Sequence, residues 1–156
     1  MASIHKEALI AAAPTEVWAA IRDVGAVHRR LAPGFVTDTR MDGDDARIVT
    51  FANGMVVREL IVDVDDAARR LAYAAVGGRS THHNASFQVF ADGEHGSRLV
   101  WIADVLPHEV AKPIGEMMEQ GLRVVTQTLA VKRRASEKSF PGISRPPRIR
   151  PSPRAS

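Results

Sequence analysis

Residues 81–93 read THHNASFQVFADG and set His82, His83 and Asn84 at the head of an apolar alternation. Side chains of these types can hold a metal, move protons, hydrogen-bond a ligand, or satisfy loop backbone at a strand end. A metal site needs three or four converging ligands. Neighbouring residues on a strand point to opposite faces, so His82 and His83 cannot share one ion without distortion. His28 and Glu59 have no ligand spacing that would complete a set, and no metal site is expected. General acid–base chemistry is the sharper alternative, because a buried histidine beside a carboxylate is tuned towards neutrality. Glu59 and His83 are the candidate catalytic pair. The plainer readings are a histidine on a cavity rim, bonded to a polar group of a ligand, or one that caps a strand end.

Other chemistry is poorly supplied. There is no cysteine, hence no thiolate nucleophile and no cysteine metal site. The run MDGDDA lacks the later acidic ligands of a calcium loop and reads as a turn. VGGRS has neither the spacing nor the lysine of a phosphate loop, and no G-x-S-x-G occurs. No cofactor is expected.

The elements that must position these residues follow from periodicity and turn chemistry. SIHKEALI, residues 3–10, alternates as a strand with Ile4, Lys6, Ala8 and Ile10 on one face. Pro14 opens a short helix carrying Val17, Trp18 and Ile21, with Trp18 expected against the sheet. A second short helical turn, Val27 to Leu31, stops at Pro33–Gly34. The charged run His28–Arg30 on it reads as a solvated face or a pocket entrance. Six strands follow, over residues 35–41, 46–52, 55–64, 70–76, 82–91 and 97–105, each closed by Gly, Asn, Asp or Pro. Asn53–Gly54 between the second and third of these predicts a two-residue hairpin turn. After Pro107, apolar residues recur at three or four: Val110, Ile114, Met117, Gly121, Val125 and Thr128 or Leu129. That spacing predicts one long amphipathic helix, starting between Glu109 and Pro113 and running to about Arg134.

The charge is unevenly spread. The 156 residues carry a formal +3, but residues 132–156 hold eight Lys/Arg and one acid. The other 131 residues hold 13 bases and 17 acids, a charge of −4, so no electrostatic footprint for nucleic acid is expected. Two domains of behaviour are expected: residues 1–134 folded, and 135–156 a disordered basic tail rich in Pro, Arg and Ser. The N-terminus lacks the apolar run of a signal peptide and no window approaches a membrane span, so a cytoplasmic protein, monomer or homodimer, is expected.

One strand, two short helices, six strands and a long helix make an α+β domain. The apolar face of a seven-stranded antiparallel meander needs a cover, and a single long helix is available. A strongly curved sheet wraps that helix but is too wide for it to fill, which predicts an apolar cavity between them. In this order of elements, and in the runs APTEVWAAIRDVGAVH, GMVVRELIVDVDDAARRLAYAAVGG and SRLVWIADVLP, the chain resembles the START-like, helix-grip superfamily (SRPBCC), in its polyketide cyclase/dehydrase branch. The resemblance covers residues 3–134 and implies a cavity for a hydrophobic small molecule. It says little about which one.

Strand parity nominates the cavity wall. His83, Ala85, Phe87 and Val89 form the more apolar set of their strand; Leu99, Trp101, Ala103 and Val105 form that of the last strand; Tyr73 and Ala75 are placed inward on theirs. The strand over 55–64 is ambiguous. Its apolar count slightly favours the set containing Arg58. The resemblance implies the other set, because plant hormone receptors of this superfamily place an inward glutamate at the position of Glu59. The expected ligand-binding residues are therefore Val57, Glu59, Ile61, Tyr73, His83, Ala85, Phe87, Trp101, Ala103, Ile114, Met117, Met118 and Gly121. Three functions compete: a carrier or sensor for a lipid, aromatic or polyketide-like molecule; a cofactor-independent cyclase, aromatase or dehydratase using Glu59 and His83; and an interaction protein whose basic tail meets an acidic surface.

Overall fold

The computed structural model describes residues 2–138. The expected tail falls, from Ser139 onward, outside the described residues. Strand β1 (Ala2–Ile10) leads into helix α1 (Pro14–Arg22) and a π-helical turn (Val27–Leu31). Strands β2 (Val36–Met41), β3 (Ala46–Phe51), β4 (Val56–Asp65), β5 (Arg70–Val76), β6 (His82–Asp92) and β7 (Gly96–Leu106) follow. A 3-10 turn (His108–Val110) then enters helix α2 (Ala111–Lys138). All strands pair antiparallel in the order β1-β7-β6-β5-β4-β3-β2, so β1 closes beside β7 and the sheet curls around α2.

Local chemistry accounts for the helices. Pro14 occupies the first turn of α1, where its missing N–H costs nothing, and Glu16 lies at the positive end of the helix dipole. Val17, Trp18, Ala20 and Ile21 are buried, and α1 packs on β6 and β7. The Trp18 indole N–H donates to Asp66 at 2.8 Å, and Arg22 Nε donates to the same carboxylate at 2.8 Å. Both tie α1 to the β4–β5 turn. Helix α2 starts inside the expected window, with Pro113 in its first turn, and runs four residues past the expected Arg134. It lies against β1 and β7, burying Met118, Leu122, Val125 and Leu129. Each such aliphatic side chain contributes about 1.5–3 kcal/mol of burial.

Two irregularities reset the strand faces. The β3–β4 hairpin uses three loop residues rather than two: Phe51 N–H donates to Met55 O at 2.8 Å across Ala52, Asn53 and Gly54, and Gly54 takes φ +86°. A left-handed residue closing a three-residue loop is the next most common hairpin solution. It places Arg47 opposite Glu59, where a two-residue turn would have set Arg47 opposite Leu60. In β4 a bulge lies between Ile61 and Asp63. Before it, Val57, Glu59 and Ile61 share the inner face; after it, Val64 pairs with the buried Leu71. Neither parity holds along the whole strand, because one inserted residue exchanges the two faces.

Candidate functional site

A cavity of about 320 Å³ opens between the inner face of the sheet and the first turns of α2. A smaller space of about 60 Å³ lies deeper, towards the π-helical turn. Phe35, Phe51, Glu59, Tyr73 and Trp101 border both and stand between them. The mouth sits at one end of the sheet. The β3–β4 turn, the β5–β6 loop and the start of α2 all reach that end, and all supply lining residues.

Of the expected ligand-binding residues, Val57, Glu59, Tyr73, His83, Trp101, Ile114, Met117 and Met118 line the larger cavity. Phe87 and Gly121 border only the smaller one. Ile61, Ala85 and Ala103 line neither and belong to the packed core. These three share one row of the sheet with Tyr73. The Tyr73 hydroxyl accepts a hydrogen bond from the Trp101 indole N–H at 3.0 Å, which links β5 to β7 through side chains.

The aromatic wall follows from register. Phe87 and Trp101 are directly opposite on β6 and β7, and their rings stack at 4.5 Å and 24°. Tyr73 stacks on the other side of Phe87 at 6.1 Å and 25°. Such cross-strand ring pairs contribute about 0.5–1.5 kcal/mol beyond their buried area. Burial, reinforced by the nearby Glu59 charge, pushes the Tyr73 phenol far above its ordinary value, so it remains a neutral donor.

The residue that strand parity left unassigned is Arg47. Its Nε donates to Glu59 Oε1 at 2.8 Å, with the side chains only 4% and 10% exposed. Its Nη1 donates to Val24 O at 3.2 Å, and its guanidinium lies 5.3 Å over the Tyr73 ring. Glu59 therefore faces inward but is already engaged. The signal that finds Arg47 is the hairpin register, and that depended on whether the loop has two or three residues.

The structure does not join Glu59 to His83 directly. Glu59 pairs with Ala75, and Ala75 lies one step beyond the Ala74–Asn84 pair, so Glu59, Ala75 and His83 form one row across three strands. Two strand spacings separate the first from the last, roughly 10 Å at the backbone. His83 is half-buried and makes no hydrogen bond among the described residues. Burial lowers its pKa; the Glu59 carboxylate pulls the other way and His82 adds to the lowering. The imidazole is neutral near pH 7. His28, expected on a solvated face, is half-buried, with Nδ1 enclosed and unpartnered; Arg30 instead pairs with Asp23 at 2.9 Å. Neither lines the cavity. Among the described residues no group of three or more His, Cys, Asp or Glu side chains is placed to hold a metal, and no helix is long and apolar enough to cross a membrane.

Residues 1–133 match the family model described as polyketide cyclase / dehydrase and lipid transport. No curated protein matches the chain by sequence. Among solved structures, a START superfamily protein from Mycobacterium smegmatis superimposes with TM-score 0.66 at 11% identity, over 86% of this chain and 98% of that one. Norcoclaurine synthase from Thalictrum flavum, in complex with dopamine and hydroxybenzaldehyde, gives TM-score 0.62 at 21% identity, over 88% of each chain. The di-domain ARO/CYC protein BexL of the BE-7585A biosynthetic pathway gives 0.71 at 15%, over 82% of this chain and 46% of that one. With a helix-grip architecture and a family match over most of its length, the chain belongs to the polyketide cyclase / dehydrase and lipid transport family.

Proposed function

We propose that the protein binds a hydrophobic small molecule with an aromatic portion, as a carrier or sensor. The observation that carries this reading is the cavity of about 320 Å³ walled by Phe35, Phe51, Tyr73, Trp101 and the Met117–Met118 pair. That volume falls in the ordinary range for ligand sites, about 300–1,000 Å³. Ring faces offer stacking, and methionines adapt to irregular shapes. Polar groups on the lining are few: the Tyr73 hydroxyl, the His83 imidazole and Glu59, which Arg47 engages from the deeper space, with Asn53, Arg79 and Ser80 on the loops at the mouth.

The experiment is a fluorescence titration of the full chain with neutral N-phenylnaphthylamine. Saturable binding at one equivalent is expected, with quenching of Trp101. An Ile114→Trp variant, which fills the mouth side of the cavity, should weaken binding by at least about tenfold. No saturable binding, or binding indifferent to Ile114→Trp, overturns the reading.

The second reading is a cofactor-independent cyclase, aromatase or dehydratase. One observation favours it. His83 and Glu59 face the same cavity from two strands apart, which leaves room for an enolisable carbonyl compound between a neutral imidazole base and a carboxylate. Against it stands the Arg47 hydrogen bond, which occupies the carboxylate. A His83→Ala variant that keeps ligand affinity but loses cyclisation of a poly-β-ketone would favour the enzyme. Equal conversion by both forms would remove it.

A further inference from the structure

One formal charge on the cavity lining has no ion-pair partner among the described residues. Glu59 and Arg47 neutralise each other inside, at 2.8 Å. His83 on the same wall is held towards its neutral form by burial. Among the cavity's lining residues that leaves Arg79, on the β5–β6 loop, as the one uncompensated full charge. Arg79 makes no ion pair or hydrogen bond among the described residues.

Its placement is built into the backbone. Gly77 and Gly78 both take left-handed conformations, φ +89° and +72°, which turn the chain back over the cavity end. Thr81 N–H then donates to Leu106 O at 2.8 Å and pins the loop to β7. Neutral donors accompany the guanidinium. Ser80, which carries a hydroxyl, lines the cavity from the same loop. Asn53 lines it from the β3–β4 turn; its Oδ1 accepts from Met55 N–H at 3.0 Å, which leaves its Nδ2 protons to donate elsewhere.

A guanidinium fork with two neutral donors beside an apolar interior matches one chemical class. We infer that the ligand is an amphiphile whose carboxylate sits at Arg79 while its apolar body fills the cavity. A carboxylate takes two parallel N–H bonds from an arginine. A dianionic phosphate would keep one charge unmatched here. This inference rests on the ligand-binding reading above and adds the head-group chemistry to it.

The test uses isothermal titration of the full chain with phenyloctanoate and with its neutral, near-isosteric amide, near neutral pH and at low salt. The wild type should bind the acid about two- to fivefold more tightly than the amide, because Arg79 is exposed and its pair with the ligand is screened by solvent. Arg79→Gln should abolish that preference and keep the amide affinity, which shows that the fold and cavity are intact. Arg79→Glu should reverse it. The basic tail is identical in all variants, so its general pull on anions cancels. A wild type without preference for the acid, or a preference that survives in Arg79→Gln, overturns the inference. If the amide and N-phenylnaphthylamine bind while the acid gains nothing, only the head-group assignment falls. If none of the three binds, the cavity reading falls and takes this one with it.

Discussion

The Arg47–Glu59 pair concentrates the energetic risk of this core. Both side chains are nearly withdrawn from water, and each compensates a charge that would otherwise be costly. Replacing Glu59 by Ala leaves a buried guanidinium, and should cost about 3–5 kcal/mol in urea unfolding. The double variant Arg47→Met, Glu59→Leu should return to within about 2 kcal/mol of wild type, since two apolar groups need no partner. Losses that simply add would show that the pair is not coupled. His83 gives a pH signature. Its folded-state pKa lies below the ordinary 6.5, so below that pH the unfolded chain binds more protons. Stability should therefore fall as pH drops through 6.5. His83→Gln should lose less stability than wild type between about pH 7 and about pH 5, read from urea midpoints. Equal losses in both would mean that His83 is solvated. Which of these residues face inward was partly legible. Phe87, Trp101 and Tyr73 announced themselves by apolar alternation. Arg47 did not, because a charged side chain alternating with Val49 and Phe51 gives no clue that its partner waits on the next strand.

The β3–β4 hairpin and the β4 bulge show how one residue governs a face. Ala52–Asn53–Gly54 offers the same Asn-Gly signal to a two-residue and a three-residue loop, and the choice moves every β3 residue one register along β4. The bulge in β4 explains why its apolar count was undecided: Val64 pairs with the buried Leu71 while Val62 is the residue inserted at the bulge and more exposed, although both carry even numbers. Helix α2 has its own compromise at Gly121. A Cβ there would lie 3.0 Å from Phe35 Cε1 and 3.4 Å from Trp101 Cζ3. Alanine would gain about 1 kcal/mol of helix propensity. The displaced Phe35 ring has empty space to enter, because it borders both cavities. Gly121→Ala should thus change stability by less than about 1 kcal/mol while weakening N-phenylnaphthylamine binding. A stabilised variant with unchanged binding would show that the glycine is not there to make room.

At the level of the molecule, the cavity is a consequence of mismatch: a seven-stranded sheet closed by β1 on β7 is wider than one helix can fill. The basic residues 139–156 lie outside the described residues. Cutting residues 139–156 removes four arginines and no acid, so the formal +3 becomes −1. We expect the truncated chain to lose retention on a cation exchanger and to keep its thermal midpoint within about 2 °C. A larger fall in the midpoint would mean that the tail packs on the domain.

The sequence alone determined the order and type of the elements, because turn residues and hydrophobic period act locally and punctuate this chain clearly. It determined the apolar character of the cavity wall on β5, β6 and β7 for the same reason. Only the tertiary structure decided that Glu59 is matched by Arg47, that Tyr73 is bonded to Trp101, and that Arg79 has no ion-pair partner among the described residues. Those outcomes depend on register, on a loop length and on a bulge, each of which is settled by which strand lies opposite rather than by any short stretch of residues.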